Sequence, residues 1–174
     1  MSDMVREHLG DKAEIALQEE QLGTGHAVMM AEHYIDDEDE VLILCGDTPL
    51  IKGETLKEMT KIKSEGYAAV VMSAVEDDPT GYGRIIRDES NDFMRIREQK
   101  DASEEEKAIK EINAGMYIIN GKLLKENLSK LSVNNAQREY YLTDVLEHIK
   151  NAGHRIGVYQ ADKMEIMGVN SRLQ

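Results

Sequence analysis

Tryptophan is absent from this chain, and phenylalanine occurs once. The interior must therefore be filled by aliphatic side chains and by ten methionines, which adapt to irregular gaps. A single cysteine, Cys45, excludes an internal disulfide and a cysteine-based zinc site. It lies in an apolar stretch, where packing suits it better than nucleophilic chemistry. No apolar run approaches the roughly 20 residues that a membrane helix needs. Residues 1–7 carry no apolar signal region. A cytoplasmic protein that binds no membrane is expected. Basic residues are also scarce, with 21 Lys and Arg against 34 Asp and Glu and a formal net charge of −13. That balance argues against nucleic acid, whose phosphates need clustered cations. A small phosphorylated ligand is still compatible if a metal offsets its charge.

The composition that is present, 41% hydrophobic and 32% charged, is ordinary for a globular protein. With 174 residues, no repeat and no linker, residues 1–174 are expected to form a single domain. The organising stretch is Val41-Leu42-Ile43-Leu44-Cys45-Gly46-Asp47-Thr48-Pro49. A continuous apolar run bounded by turn residues predicts a strand buried on both faces of a parallel sheet. Asp47 then falls just past the carboxyl end of that strand, where open α/β sheets bind ligands. A lone acid there suits a divalent metal, and it equally suits a turn.

Strand and helix alternate on both sides of this run. A short helix is expected over 2–9, a short strand over 14–18, and a helix from Thr24 to about His33 with Thr24 as its cap. Ala27, Val28, Met30 and Ala31 would face inward. The acidic run 36–40 reads as a solvated loop, since it lacks calcium-loop spacing. A helix over 53–64 presents Leu56, Met59 and Ile62, and a second buried strand spans 67–75. Residues 84–87 and 93–98 form a hairpin. A strand over 111–119, helices over 121–131 and 140–151, and a strand over 155–160 complete the pattern. Asn170 is placed as the cap of one more helix. This alternation predicts an α/β fold with a mostly parallel sheet between helices and a small antiparallel hairpin.

Gln18 and Gln21 with the Gly23-Thr24-Gly25 turn, Gly46-Asp47, Gly83 with Glu98 and Asn113, and Asn170 are the polar groups at strand ends and loops. Taken singly, each has an ordinary alternative: a βα loop, a surface pair of Glu98 with Arg97 or Lys100, a turn at Asn113, or packing for His26. Taken together they fall in longer strings. These are Gln18-Glu-Glu-Gln-Leu-Gly-Thr-Gly-His-Ala27, Gly46-Asp-Thr-Pro-Leu50, Asp77-Asp-Pro-Thr-Gly-Tyr-Gly-Arg-Ile85, Glu111-Ile-Asn-Ala-Gly115, Asn134-Asn-Ala-Gln-Arg-Glu-Tyr-Tyr-Leu-Thr-Asp144 and Gly168-Val-Asn-Ser-Arg-Leu-Gln174. In this collinear order they resemble the uridylyltransferase domain of the bacterial bifunctional N-acetylglucosamine-1-phosphate uridyltransferase / glucosamine-1-phosphate acetyltransferase family, from about Val5 to Gln174.

The resemblance implies a Rossmann-like nucleotidyltransferase fold and a role for each matching position. Gln18, Gln21, Gly23 and Thr24 would read the uracil of a nucleotide. Asp47 and Asn170 would act in catalysis by holding one Mg²⁺. Gly83, Glu98 and Asn113 would hold the amino sugar, with Tyr140 and Thr143 close to the sugar phosphate. The implied reaction joins UTP and N-acetylglucosamine 1-phosphate into UDP-N-acetylglucosamine and pyrophosphate, for cell-wall precursor synthesis. Cys45 stands where the family often has tyrosine, which removes an aromatic contact near the sugar. The family's glycine-rich phosphate loop and first βα unit have no counterpart in this sequence, and neither do its C-terminal hexapeptide repeats. The expectation that follows is a chain that turns over little by itself and has exposed sheet edges suited to self-association. A non-catalytic nucleotide-sugar binding or assembly module is the competing expectation.

Overall fold

The computed structural model describes residues 2–169. Its centre is β2 (Ala69–Val75), in which every residue but the last is buried. β5 (Glu111–Asn120) pairs antiparallel with one edge of β2, and β6 (Ile156–Gln160) pairs parallel with the other. The far edge of β5 is divided. β1 (Glu40–Ile43) takes residues 117–120, and Arg84, opening β3 (Arg84–Arg87), takes Ile112. β4 (Phe93–Arg97) completes the sheet as an antiparallel hairpin with β3.

Period-two alternation divides the core between the two faces of this sheet. Val70, Met72 and Ala74 of β2 pack with Met59 of α3 (Gly53–Ser64) and with Ile112, Met116 and Ile118 of β5. Ala69 and Val71 face the other way. They meet Leu124 and Leu128 of α5 (Gly121–Leu128) and Val145, Leu146 and Ile149 of α6 (Thr143–Asn151). Fully burying an aliphatic side chain of this size stabilises by about 1.5–3 kcal/mol. Three further helices are α1 (Ser2–Leu9), α2 (Thr24–Met30) and α4 (Glu104–Lys107). α4 opens with a capping box between Ser103 and Glu106. Among the described residues, no helix is long and apolar enough to cross a membrane.

The alternation of strand and helix, the hairpin and a common direction for β1, β2 and β6 all match the sequence expectation. The expectation of a mostly parallel sheet is corrected to a mixed one: among the described residues the one directly parallel pair is β2 with β6, because β5 inserts between β1 and β2 and runs antiparallel to both. The expectation of a β1 region buried on both faces is corrected. Val41 and Ile43 pack against the core, while Leu42 and Leu44 are each 43% exposed. Within the described chain β1 has one paired edge, and Leu42 opens on a shallow groove formed with Thr60, Lys63 and Ile118.

Smaller corrections have local causes. Residues 14–18 join no ladder. Ala27 is exposed, and Met29 packs inward beside Val28. α5 ends at Leu128, where tight turns bring the Lys130 and Leu131 N–H groups to Asn127 and Leu128. α6 starts at Thr143 because the Tyr140 backbone is engaged elsewhere: its N–H donates to Leu22 at 2.8 Å and its C=O accepts from Gly25 at 2.7 Å. The helix start assigned to Asn170 lies outside the described residues.

Candidate active site

A cleft of about 610 Å³ opens past the end of β1, between the loop over 79–83 and the segment over 166–168. Cys45, Asp47, Gly83, Asn113 and Gly115 line it. The Thr48 hydroxyl donates to the Cys45 carbonyl at 2.9 Å and closes the turn that carries Asp47. The Asp47 backbone carbonyl accepts the Val169 N–H at 2.7 Å, so the late segment is fastened to the same turn. The Asp47 carboxylate is exposed, and no Lys or Arg pairs with it among the described residues. Gly115 adopts φ +74°, and a side chain there would come within 2.9 Å of Cys45 Sγ. A glycine is needed on both counts. Burial, and then the charge of Asp47, push the Cys45 thiol pKa up; a protonated thiol fits its 3.3 Å bond to the Gly115 carbonyl.

Across the cleft, Asn113 donates its backbone N–H to the Gly83 carbonyl at 2.8 Å. Its side-chain amide pairs with the Tyr117 hydroxyl at 2.8 Å and accepts the Gly115 N–H at 3.1 Å. Burial above all raises the Tyr117 phenol pKa, so it serves as a neutral hydrogen-bonding partner. Glu98 comes from the end of the hairpin and accepts the Thr143 hydroxyl at 3.0 Å. A Cβ at Gly83 would fall 2.9 Å from Ile96 and 3.3 Å from a Glu98 carboxylate oxygen. Gly83 and Glu98 are therefore close neighbours.

Gln18, Gly23, Thr24 and Tyr140 are brought together in a second cluster. Gln18 Nε2 donates to the Gly23 carbonyl at 3.0 Å and lies 3.1 Å from His26 Nδ1. The His26 ring stacks on Tyr140 with centroids 6.2 Å apart. Thr24 does not cap α2 with its side chain; its hydroxyl accepts the Leu142 N–H at 3.1 Å and ties α2 to the start of α6. Tyr140, expected beside the sugar, belongs to this glutamine cluster. Gln21 is exposed, and Asn170 lies outside the described residues.

Three groups at the site were not singled out from the sequence. Tyr117 is one, and its spacing of four from Asn113 along a strand is the signal that places both on one face. Arg84 with Gln99 is another, meeting across a hairpin at 2.8 Å. The third is Glu165, which is 7% exposed and accepts from the Thr55 hydroxyl at 2.6 Å and from Lys52 Nζ at 3.0 Å. The Thr55 hydrogen bond, against the opposing effect of burial and with help from Lys52, keeps its carboxyl pKa low. No local pattern announces these last two, because their partners are distant in sequence.

Comparison with known proteins shows the family. A bifunctional protein GlmU from Caldanaerobacter subterraneus subsp. tengcongensis is 54% identical over 173 residues, 99% of this chain and 38% of that protein. The Clostridioides difficile bifunctional protein GlmU is 52% identical over 175 residues, again 99% of this chain and 38% of that protein. The chain thus spans 38% of the length of these relatives. Among solved structures, a UDP-glucose pyrophosphorylase complexed with UDP-glucose aligns with a TM-score of 0.67 at 23% identity, covering 82% of this chain and 55% of that one. A putative glucose-1-phosphate thymidylyltransferase from Bacillus anthracis aligns with a TM-score of 0.70 at 16% identity, covering 93% and 64%. At these identities the two structures speak for the fold alone. The nucleotidyl transferase family model matches residues 1–164, and the chain belongs to the nucleotidyl transferase family.

Proposed function

We propose that this chain is the uridylyltransferase part of a cytoplasmic enzyme that forms UDP-N-acetylglucosamine and pyrophosphate from UTP and N-acetylglucosamine 1-phosphate. The observation that carries the reading is the cleft lined by Gly83, Asn113 and the exposed Asp47, whose carboxylate pairs with no Lys or Arg among the described residues. The similarity to GlmU proteins supports the choice of substrates. In this reading the Gln18–Gly23 cluster takes the uracil, while Gly83, Glu98, Asn113 and Thr143 take the amino sugar.

The chemistry is an in-line displacement. A sugar phosphate oxygen bonds to the α-phosphorus of UTP, the bridge to the β-phosphate breaks, and its electron pair leaves with pyrophosphate. Positioning and charge stabilisation do most of the work in such transfers. The donor set fits magnesium. Among the described residues no group of three or more His, Cys, Asp or Glu could cage a metal, and Mg²⁺ is usually held by one or two carboxylates with phosphate oxygens and waters. Asp47, with Asn170, would hold the ion, whose charge offsets that of the phosphates. The turn closed by Thr48 fixes where the Asp47 carboxylate stands.

The edge of β1 that no strand pairs among the described residues, with exposed Leu42 and Leu44, favours a second reading, an assembly module that keeps the binding contacts and pairs with a further strand, including one from a second copy of this chain. Pyrophosphate release separates the two. The chain is placed in the Caldanaerobacter relative in exchange for the matching residues and assayed with UTP, N-acetylglucosamine 1-phosphate and Mg²⁺. Uridylyl transfer is expected, with a fall of at least about a hundredfold in Asp47→Asn, the loss of about 2.7 kcal/mol of transition-state stabilisation. A folded chimera that binds UDP-N-acetylglucosamine without turnover would support the assembly reading.

A further inference from the structure

Arg84 is 1% exposed, yet its guanidinium meets no carboxylate among the described residues. It donates instead to neutral acceptors: the Tyr82 carbonyl, the Gln99 side chain at 2.8 Å and the Lys107 carbonyl at 3.3 Å. Its Nε, also buried, has no partner. A desolvated cation is a costly way to tie a hairpin, so what it holds is informative. Gln99 Oε1 also accepts the Gly81 N–H at 3.2 Å, and the loop over 79–83 is thereby fastened at Gly81 and at Tyr82. Among the described residues no peptide bond is cis. In a planar trans peptide the C=O and the following N–H point in opposite directions. With the Tyr82 carbonyl drawn to Arg84, the Gly83 N–H is turned away from it. Gly83 lines the cleft. Its carbonyl accepts from Asn113, while its N–H donates to nothing within the described chain.

We propose that Arg84 is a positioning residue for sugar recognition: by holding the Tyr82 carbonyl, it aims the Gly83 N–H into the cleft, where that donor reads the acetamido oxygen of an N-acetylamino sugar. This rests on the uridylyltransferase reading above. Arg84 touches no ligand, and its effect is on choice between sugars. Lysine cannot replace it, because one ammonium does not span three acceptors in a fixed fork.

The test titrates this chain with UDP-N-acetylglucosamine, UDP-glucose and UMP. The wild type is expected to prefer the acetamido sugar. In Arg84→Lys that preference falls about fivefold to tenfold, the scale of one hydrogen bond to a neutral acceptor, while UMP affinity is unchanged. General destabilisation would weaken all three ligands together. Gln99→Leu, which leaves the arginine in place and removes one of its acceptors, lowers the preference in the same direction. In the wild type, the Gly83 amide resonance shifts on adding UDP-N-acetylglucosamine and does not shift with UDP-glucose. A preference that survives both substitutions, or a Gly83 amide indifferent to the acetamido sugar, overturns the inference and leaves the uridylyltransferase reading standing. A wild type that binds UMP but shows no preference between the two sugars overturns the inference together with the assigned sugar specificity.

Discussion

A carboxyl shielded from water with one hydroxyl donor is poorly solvated, and Glu98 is in that position. Burial raises its pKa most, the Thr143 hydroxyl opposes this, and the charges of Asp144, Asp101 and Glu139 add to the rise. A raised carboxyl pKa makes the folded state hold its proton longer than the unfolded state does. Stability contributed at this site is therefore undiminished below the ordinary glutamate pKa and is lost as pH rises from there through the folded value. Urea denaturation should show Glu98→Gln gaining on the wild type between acidic and neutral pH, while sugar binding weakens. A wild-type-to-variant gap that is flat with pH would contradict this assignment. Asp47, Gly83 and Asn113, which the fold brings to one cleft, were legible as candidates because they sit in short strings of the sequence. Strand alternation also separates Glu98 from its neighbour: Arg97 reaches Glu106 at 3.5 Å, so the surface pair with Glu98 does not form. Arg84 was not legible, since a buried arginine without a carboxylate leaves no mark in sequence.

At the scale of elements, three strands are fastened beside the cleft by one polar group. Arg87 of β3 grips the Glu111 carboxylate of β5 with two bonds of 2.8 Å, and Ser73 of β2 donates to the same carboxylate at 2.7 Å. Burial pushes the Glu111 pKa up, and the bonds from Arg87 and Ser73 outweigh it and hold the carboxyl low. The side chains are 25% and 16% exposed, so solvent screens the pair only in part. Arg87→Met should cost about 1–3 kcal/mol, because it leaves a mostly desolvated carboxylate with one donor. Adding Glu111→Gln should recover part of that loss in a double-mutant cycle, and strictly additive losses would contradict the coupling. This contribution is present above the ordinary glutamate pKa and disappears as pH falls through the lowered folded value. Elements with strong period signals, such as α3 and β2, were read correctly from sequence. The start of α6 was displaced by tertiary bonds to Tyr140, and the exposure of β1 depends on what packs against it. Neither appears in local pattern.

For the whole molecule, the sheet gathers the carboxyl end of β1, the bend of β5 at Gly115 and the late segment at Val169 onto one cleft. No Lys or Arg lines that cleft among the described residues, so the proposed function requires an ion at Asp47 to offset the charge of anionic ligands. The late segment is pinned twice, through Glu165 to α3 and through Val169 to the Asp47 turn. The most direct measurement is the affinity of this chain for UDP-N-acetylglucosamine, by calorimetry, with Mg²⁺ and with chelator, in the wild type and in Asp47→Asn. The account predicts that Mg²⁺ tightens wild-type binding by about tenfold or more and leaves Asp47→Asn unchanged. Equal affinity with and without the ion in the wild type, or the same tightening in the variant, would contradict it.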